Sequence, residues 1–240
     1  MIADLLQRAR TLWARVIRTD ASALAAVAVT VVAAWCFLEI ADEVAEGSTR
    51  RLDEWTIRVL RQPHDASGPL GPRWLGEVMR DVTALGGITV LMLVIGMAAG
   101  FLLINRAYHA VWLVLSASLG GLLLSVILKG FFRGPRPEMV TRLADAGLSS
   151  FPSGHTMNSA VVYLTLGLVL SQLSTPMRLK AYFLAVATLL TFLVGISRVF
   201  LGVDYPSDVI AGWAAGAAWA GICWLVARRL RRAGSIESIR

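Results

Sequence analysis

The chain has 240 residues, of which 56% are hydrophobic and only 16% charged, with a mean hydropathy of +0.65. Soluble domains carry about 25% charged residues, so the composition excludes an ordinary soluble globule. The formal net charge of +7 is concentrated in arginines near the two ends, Arg8, Arg10, Arg15 and Arg18, then Arg228, Arg229, Arg231 and Arg232. These clusters flank apolar runs and lack interleaved base-stacking aromatics, which argues against nucleic acid and for a positive-inside membrane topology.

Taken in chain order, the apolar runs are Ala21–Leu38, Val82–Ile104, Ala107–Leu128, Thr156–Leu173, Ala181–Ser197 and Val209–Ala227. Each is near the ~20 residues a helix needs to cross a bilayer. The expected architecture is therefore all-α: one membrane-embedded domain over 1–240 with six spanning helices. The first run lacks a small-residue cleavage site after it and reads as a retained span. An even number of spans with basic ends places both termini in the cytoplasm, together with the short loops Asn105–Arg106 and Ser174–Lys180.

Three segments then face outward: Glu39–Asp81, Lys129–Pro152 and Arg198–Pro206. The first mixes charges with Leu52, Trp55, Ile57, Val59, Leu60 and Trp74, and is broken by Pro63, Pro69 and Pro72. It reads as short interfacial amphipathic helices over about 42–81, with His64 a polar surface residue. Gly96-x3-Gly100 and Gly212-x3-Gly216 place small residues on one helix face, as do Gly86, Gly87, Gly120 and Gly121; close helix packing is expected at all of them. Cys36 and Cys223 lie inside spans and form neither a disulfide framework nor a metal site.

The outward segments gather the chemistry. Lys129 closes the third span and Arg136 follows between Pro135 and Pro137, which restrict its backbone. Arg198 closes the fifth. Lysine offers phosphate a point charge and arginine a planar fork. Snorkelling to headgroups would explain any one of these cations alone, but not Arg136 held between prolines beside PSGH. Pro152-Ser153-Gly154-His155 opens the fourth span, where free N–H groups and the helix dipole favour an anion. Ser153 can cap that helix and donate to a phosphate oxygen, Gly154 lets backbone approach closely, and His155 can protonate a leaving group. An ordinary helix cap is the plainer reading of that tetrapeptide. Asp204 and Asp208 are four apart, on one face of a helix if the sixth span is helical from its start. Asp208 can serve the helix dipole. A divalent site on Asp204, Asp208 and His155 is opposed by the three cations.

Read together, the motif region 129–208 resembles the type 2 phosphatidic acid phosphatase superfamily. Its Lys-x6-Arg-Pro is matched by Lys129, Arg136 and Pro137, its Pro-Ser-Gly-His by 152–155, and its Ser-Arg-x5-His-x3-Asp by Ser197, Arg198 and Asp208. The departure is Asp204, which stands where the family has its nucleophilic histidine. The resemblance implies that Lys129, Arg136, Ser153, Gly154 and Arg198 bind phosphate, and that His155 protonates the leaving group. It also implies that Asp208 orients the residue at 204, and that neither metal nor cofactor is needed. Bacterial members with six spans dephosphorylate undecaprenyl diphosphate, phosphatidylglycerol phosphate or phosphatidic acid at the outer face of the inner membrane. Three readings of Asp204 follow: a carboxylate nucleophile, a loss of the nucleophile with lipid-phosphate binding retained, or a pairing with Arg198 or Lys129 that closes the pocket. A lipid phosphotransferase would use the same residues. A lipid transporter fits less well, because no span has a charge at its middle.

Overall fold

The computed structural model describes residues 2–62, 65–132 and 151–232. Eight helices and one small hairpin are formed among them: α1 (Ile2–Glu46), α2 (Arg50–Val59), β1 (Arg61–Gln62), β2 (Asp65–Pro69), α3 (Arg73–Ala84), α4 (Ile88–Ile104), α5 (Tyr108–Phe131), α6 (Gly154–Leu173), α7 (Met177–Phe200) and α8 (Pro206–Arg232). Five helices are long and apolar enough to cross a membrane, and six spans result if the bent pair α3–α4 counts as one. The all-α membrane bundle therefore stands, and the second span differs from the expected straight Val82–Ile104.

That span is bent by 51° between α3 and α4. α4 alone has 17 residues, fewer than a straight crossing needs. The break falls at Leu85–Gly87. A Cβ on Gly86 would lie 2.5 Å from the Val194 side chain and 3.1 Å from the His155 carbonyl. Only a residue without a side chain lets the bend press so closely on α6 and α7. The Tyr163 hydroxyl donates to the Leu85 carbonyl at 2.8 Å and pins the bend from below.

α6 sits at the centre of the bundle, packed by α5, α7 and α8, while α1 leans on α8. Small residues set these distances. A Cβ on Gly216 would meet Ala160 at 2.5 Å, and one on Gly167 would meet Ala187 at 2.7 Å. A Cβ on Gly212 would lie 2.9 Å from the Ser153 carbonyl. The expectation for Gly96 and Gly100 is corrected: a Cβ at either meets nothing within 4 Å, because both lie on an open face of α4. Trp213 and Trp219, on α8, donate their indole N–H groups to the Thr191 and Ala117 carbonyls at 3.0 and 2.9 Å, tying α8 to α7 and α5.

The segment after α1 is more varied than interfacial helices alone. α1 runs on to Glu46, eight residues past the expected end of the first span. α2 turns Asp53 and Ile57 inward and leaves Leu52, Trp55 and Val59 exposed. An apolar outer face with tryptophan suits a helix lying at a membrane surface. β1 and β2 then pair antiparallel, Arg61 with Pro69 and Gln62 with Asp65, a hairpin the helical reading had not included. Pro72 precedes the first turn of α3, a position where proline costs no hydrogen bond. Pro63 and His64 lie outside the described residues.

Candidate active site

The site forms where the end of α5, the start of α6, the end of α7 and the start of α8 meet. Three aromatic rings hold the ends of α5 and α6 together. Phe132 meets Phe151 edge-on at 5.1 Å, and both meet Phe37 of α1 at 6.1 Å. Phe151 is fully buried and fixes the chain just before Pro152.

Ser153 is the N-cap of α6. Its Oγ accepts weakly from the Thr156 N–H at 3.4 Å and lies 2.8 Å from Thr156 Oγ1. Its own N–H donates to the Asp208 carbonyl at 3.0 Å, joining the starts of α6 and α8. Next to it, Gly154 makes room for a cation: a Cβ there would lie 2.9 Å from Lys129 Nζ. His155 follows in the first turn, half-buried, with its backbone against Gly86. The charges of Arg198, Asp204 and Lys129 all act on its ring. The structure thus brings together Lys129, Ser153, Gly154, His155, Arg198, Asp204 and Asp208. Arg136 lies outside the described residues.

Asp204 is the most heavily engaged of these. Arg198 Nε donates to its Oδ2 at 2.8 Å and Nη2 donates to its Oδ1 at 3.3 Å. The Ser153 hydroxyl donates to the same Oδ2 at 2.6 Å. The carboxylate is 6% exposed. Burial pushes its pKa up, but the Arg198 guanidinium, aided by the Ser153 hydroxyl, outweighs that and holds it below the ordinary carboxylate value. Two donors that the resemblance assigns to phosphate are therefore spent on an internal carboxylate.

Asp208 serves α8 itself. Its Oδ2 accepts from the Tyr205 N–H at 3.3 Å, reaching back over the first turn as in a capping box. No histidine lies within that turn for it to orient. Among the described residues no cluster of metal-ligating side chains occurs here or elsewhere.

Two site-supporting residues were missed in the sequence. Asp53 of α2 is 4% exposed and accepts from both the Ser207 N–H, at 3.0 Å, and the Ser207 hydroxyl, at 2.7 Å. It caps α8 from a different helix, supplying an acceptor that Tyr205 and Pro206 cannot. Arg61 packs its guanidinium onto Gly202, whose φ is +66°. No local sequence signal marks either residue, since their partners lie far along the chain.

The sequence profile of the PAP2 superfamily matches residues 109–232. Phosphatidylglycerophosphatase B of Bacillus subtilis (strain 168) is 30% identical over 185 residues, which span 75% of this chain and 85% of that protein. The crystal structure of a transmembrane PAP2-type phosphatidylglycerolphosphate phosphatase from Bacillus subtilis superposes with a TM-score of 0.71 at 27% identity. It covers 88% of this chain and 98% of its own. Aquifex aeolicus LpxE superposes with a TM-score of 0.53 at 25% identity, covering 74% and 95%. With Lys129, the 152–155 stretch and the 197–208 stretch meeting at one end of a helical membrane bundle, the chain belongs to the PAP2 superfamily.

Proposed function

We propose that this chain is a membrane lipid phosphatase whose phosphate seat is occupied, in the resting state, by its own Asp204 carboxylate. The broad class, a phosphoric monoester hydrolase acting on lipids, follows from the family and from its phosphatase relatives. The substrate proposed is a phosphorylated lipid such as phosphatidylglycerol phosphate, undecaprenyl diphosphate or phosphatidic acid, cleaved without a metal at the outer face of a bacterial inner membrane. Lys129, Arg136, Ser153, Gly154 and Arg198 would hold the phosphate, and His155 would protonate the departing oxygen.

One observation carries the reading of Asp204: its oxygens accept from Arg198 and Ser153 at 2.6 to 3.3 Å. An attacking oxygen needs a free lone pair aimed at phosphorus. Here both carboxylate oxygens already face the groups that would neutralise the phosphate. Of the three expectations for Asp204, pairing with Arg198 fits best. Substrate phosphate must displace the carboxylate to be seated at all, and with no histidine at 204 to attack phosphorus the unmodified chain is expected to turn over slowly.

Phosphate release from phosphatidylglycerol phosphate by the unmodified chain, Asp204→His and Asp204→Ala decides the matter. The expected result is that Asp204→His exceeds the unmodified chain by at least about a hundredfold, roughly 2.7 kcal/mol of barrier, with Asp204→Ala near background. Equal rates for the unmodified chain and Asp204→His would identify the carboxylate as a working nucleophile and overturn the reading.

A further inference from the structure

The end of the bundle opposite the motif residues holds a cavity of about 900 Å³. Ligand pockets run from about 300 to 1,000 Å³, so this one has room for far more than a small ion. Five helices wall it: the end of α4, the start of α5, the end of α6, the start of α7 and the end of α8. Its polar residues sit at those helix ends: Asn105, His109, Gln172, Lys180 and Arg231. Further into the bundle the lining turns apolar, with Ala110, Leu113, Leu170 and Phe183. Phe101 and Leu173, 52% and 40% exposed, also line it, so an apolar chain can enter from the flank. No acidic residue is among the described residues that line it. A lone cation at a span end is explained by snorkelling, and the exposed Arg106 and Arg178 fit that reading. Lys180 and Arg231 differ. Both are half-buried, they come from different helices, and they line one cavity. Neither takes part in the ion pairs formed among the described residues. Arg231 is also steadied from α6, its Nη2 donating to Gln172 Oε1 at 2.8 Å.

We propose that this cavity is a second lipid site, which binds an anionic phospholipid of the leaflet on that side with its headgroup phosphate at Lys180 and Arg231 and an acyl chain against the apolar lining. Charge and shape both select that occupant. Two cations without an acid select an anion, and basic pockets between spanning helices are a recurrent setting for anionic headgroups. The Arg231 guanidinium can grip two phosphate oxygens at once, and Lys180 adds a point charge. His109 and Asn105 offer further polar groups to the headgroup. A soluble anion would use the helix ends and leave the apolar lining unfilled, whereas an acyl chain fills it. Nothing at this end is shared with the motif residues, so the reading of Asp204 does not enter. The lipid would bridge α7 and α8 and stabilise the bundle by binding only its folded form.

Native mass spectrometry of the full chain in detergent tests this, with dioleoylphosphatidylserine, dioleoylphosphatidylcholine and the tail-less glycerophosphoserine as probes. The unmodified chain should bind the anionic lipid about tenfold more tightly than the zwitterionic one. Lys180→Gln combined with Arg231→Gln should bring the two within about twofold. Ala227→Phe, which fills the cavity and keeps both cations, should weaken phosphatidylserine binding by about fivefold or more. Arg106→Gln combined with Arg178→Gln removes cations at the same end that do not line the cavity, and should leave the preference intact. A preference that survives loss of Lys180 and Arg231, or that falls as far without Arg106 and Arg178, would overturn the site in favour of a diffuse basic surface. Unchanged binding by Ala227→Phe would also overturn it, because the cavity would then play no part. Glycerophosphoserine bound as tightly as the lipid would replace the phospholipid by a soluble anion.

Discussion

The two ends of the bundle treat charge in opposite ways. At the motif end, each buried acid is held by specific donors: Asp204 by Arg198 and Ser153, Asp208 by the Tyr205 N–H at the start of α8, Asp53 by Ser207. At the other end lie Arg106, Arg178, Lys180, Arg229 and Arg231, none of which takes part in the ion pairs Arg50–Glu54, Arg58–Glu54 and Arg198–Asp204 formed among the described residues. Arg231 bonds Gln172 at 2.8 Å beside a cavity of about 900 Å³ that His109, Asn105 and Lys180 also line. The motif end spends its charges on geometry, fixing helix starts and side-chain directions. The positive-inside rule gives the cations of the far end a different expected role, the orientation of the chain in the membrane.

This contrast is breakable, and the largest effect is expected at Asp53. Asp53→Ala strips two acceptors from Ser207 in a buried setting and uncaps α8. It should lower stability by about 1–3 kcal/mol, read as a drop in the thermal midpoint in detergent. Asp53→Asn, which keeps one acceptor, should recover part of that. An unchanged midpoint for the alanine variant would show that α8 starts without help from α2.

A smaller effect should follow acidification. Asp204 has its folded pKa below the ordinary 3.8. Its contribution is therefore fully present above that value and is lost as pH falls through the lower folded one. The thermal midpoint should decline below about pH 4, and Asp204→Asn should flatten that part of the decline. If the unmodified chain and the Asn variant fall in parallel, the Arg198 pair contributes nothing measurable.

The smallest effect is expected at the far end. Lys180→Gln combined with Arg231→Gln should leave stability in lipid-free detergent within about 0.5 kcal/mol, as for most surface changes. It should instead raise the fraction of chains labelled in the reverse orientation by an impermeant thiol reagent. A large loss of stability with unchanged orientation would mean that Lys180 and Arg231 hold helices together without lipid, as the motif-end charges do.

The same contrast explains what could be read in advance. Span positions follow from apolar runs that no soluble fold would expose, so α5, α6, α7 and α8 were legible within a few residues. The second span was harder, because Arg80 and Asp81 sit inside α3 and mask its continuity with α4; the 51° bend comes from packing on α6 and α7. The motif residues were legible because their types and spacings are restrictive. Asp53 and Arg61 were not, since their partners Ser207 and Gly202 lie 154 and 141 positions away, and nothing local marks a charge that will be buried. The direction in which Asp204 points was equally hidden: sequence offered three answers, and only the positions of Arg198 and Ser153 distinguish them.

The aromatic triad of Phe37, Phe132 and Phe151 bears on how this site could be moved or cut. Every motif residue lies in the second half of the chain, which invites grafting α5–α8 alone into another bundle. Such a graft would bring every motif residue and omit Phe37, the wall against which Phe132 and Phe151 rest, and with it Asp53, which caps α8, and Arg61, which packs on Gly202. The smallest transplantable unit therefore begins before Phe37, so that the first helix belongs to the pocket as much as to the membrane.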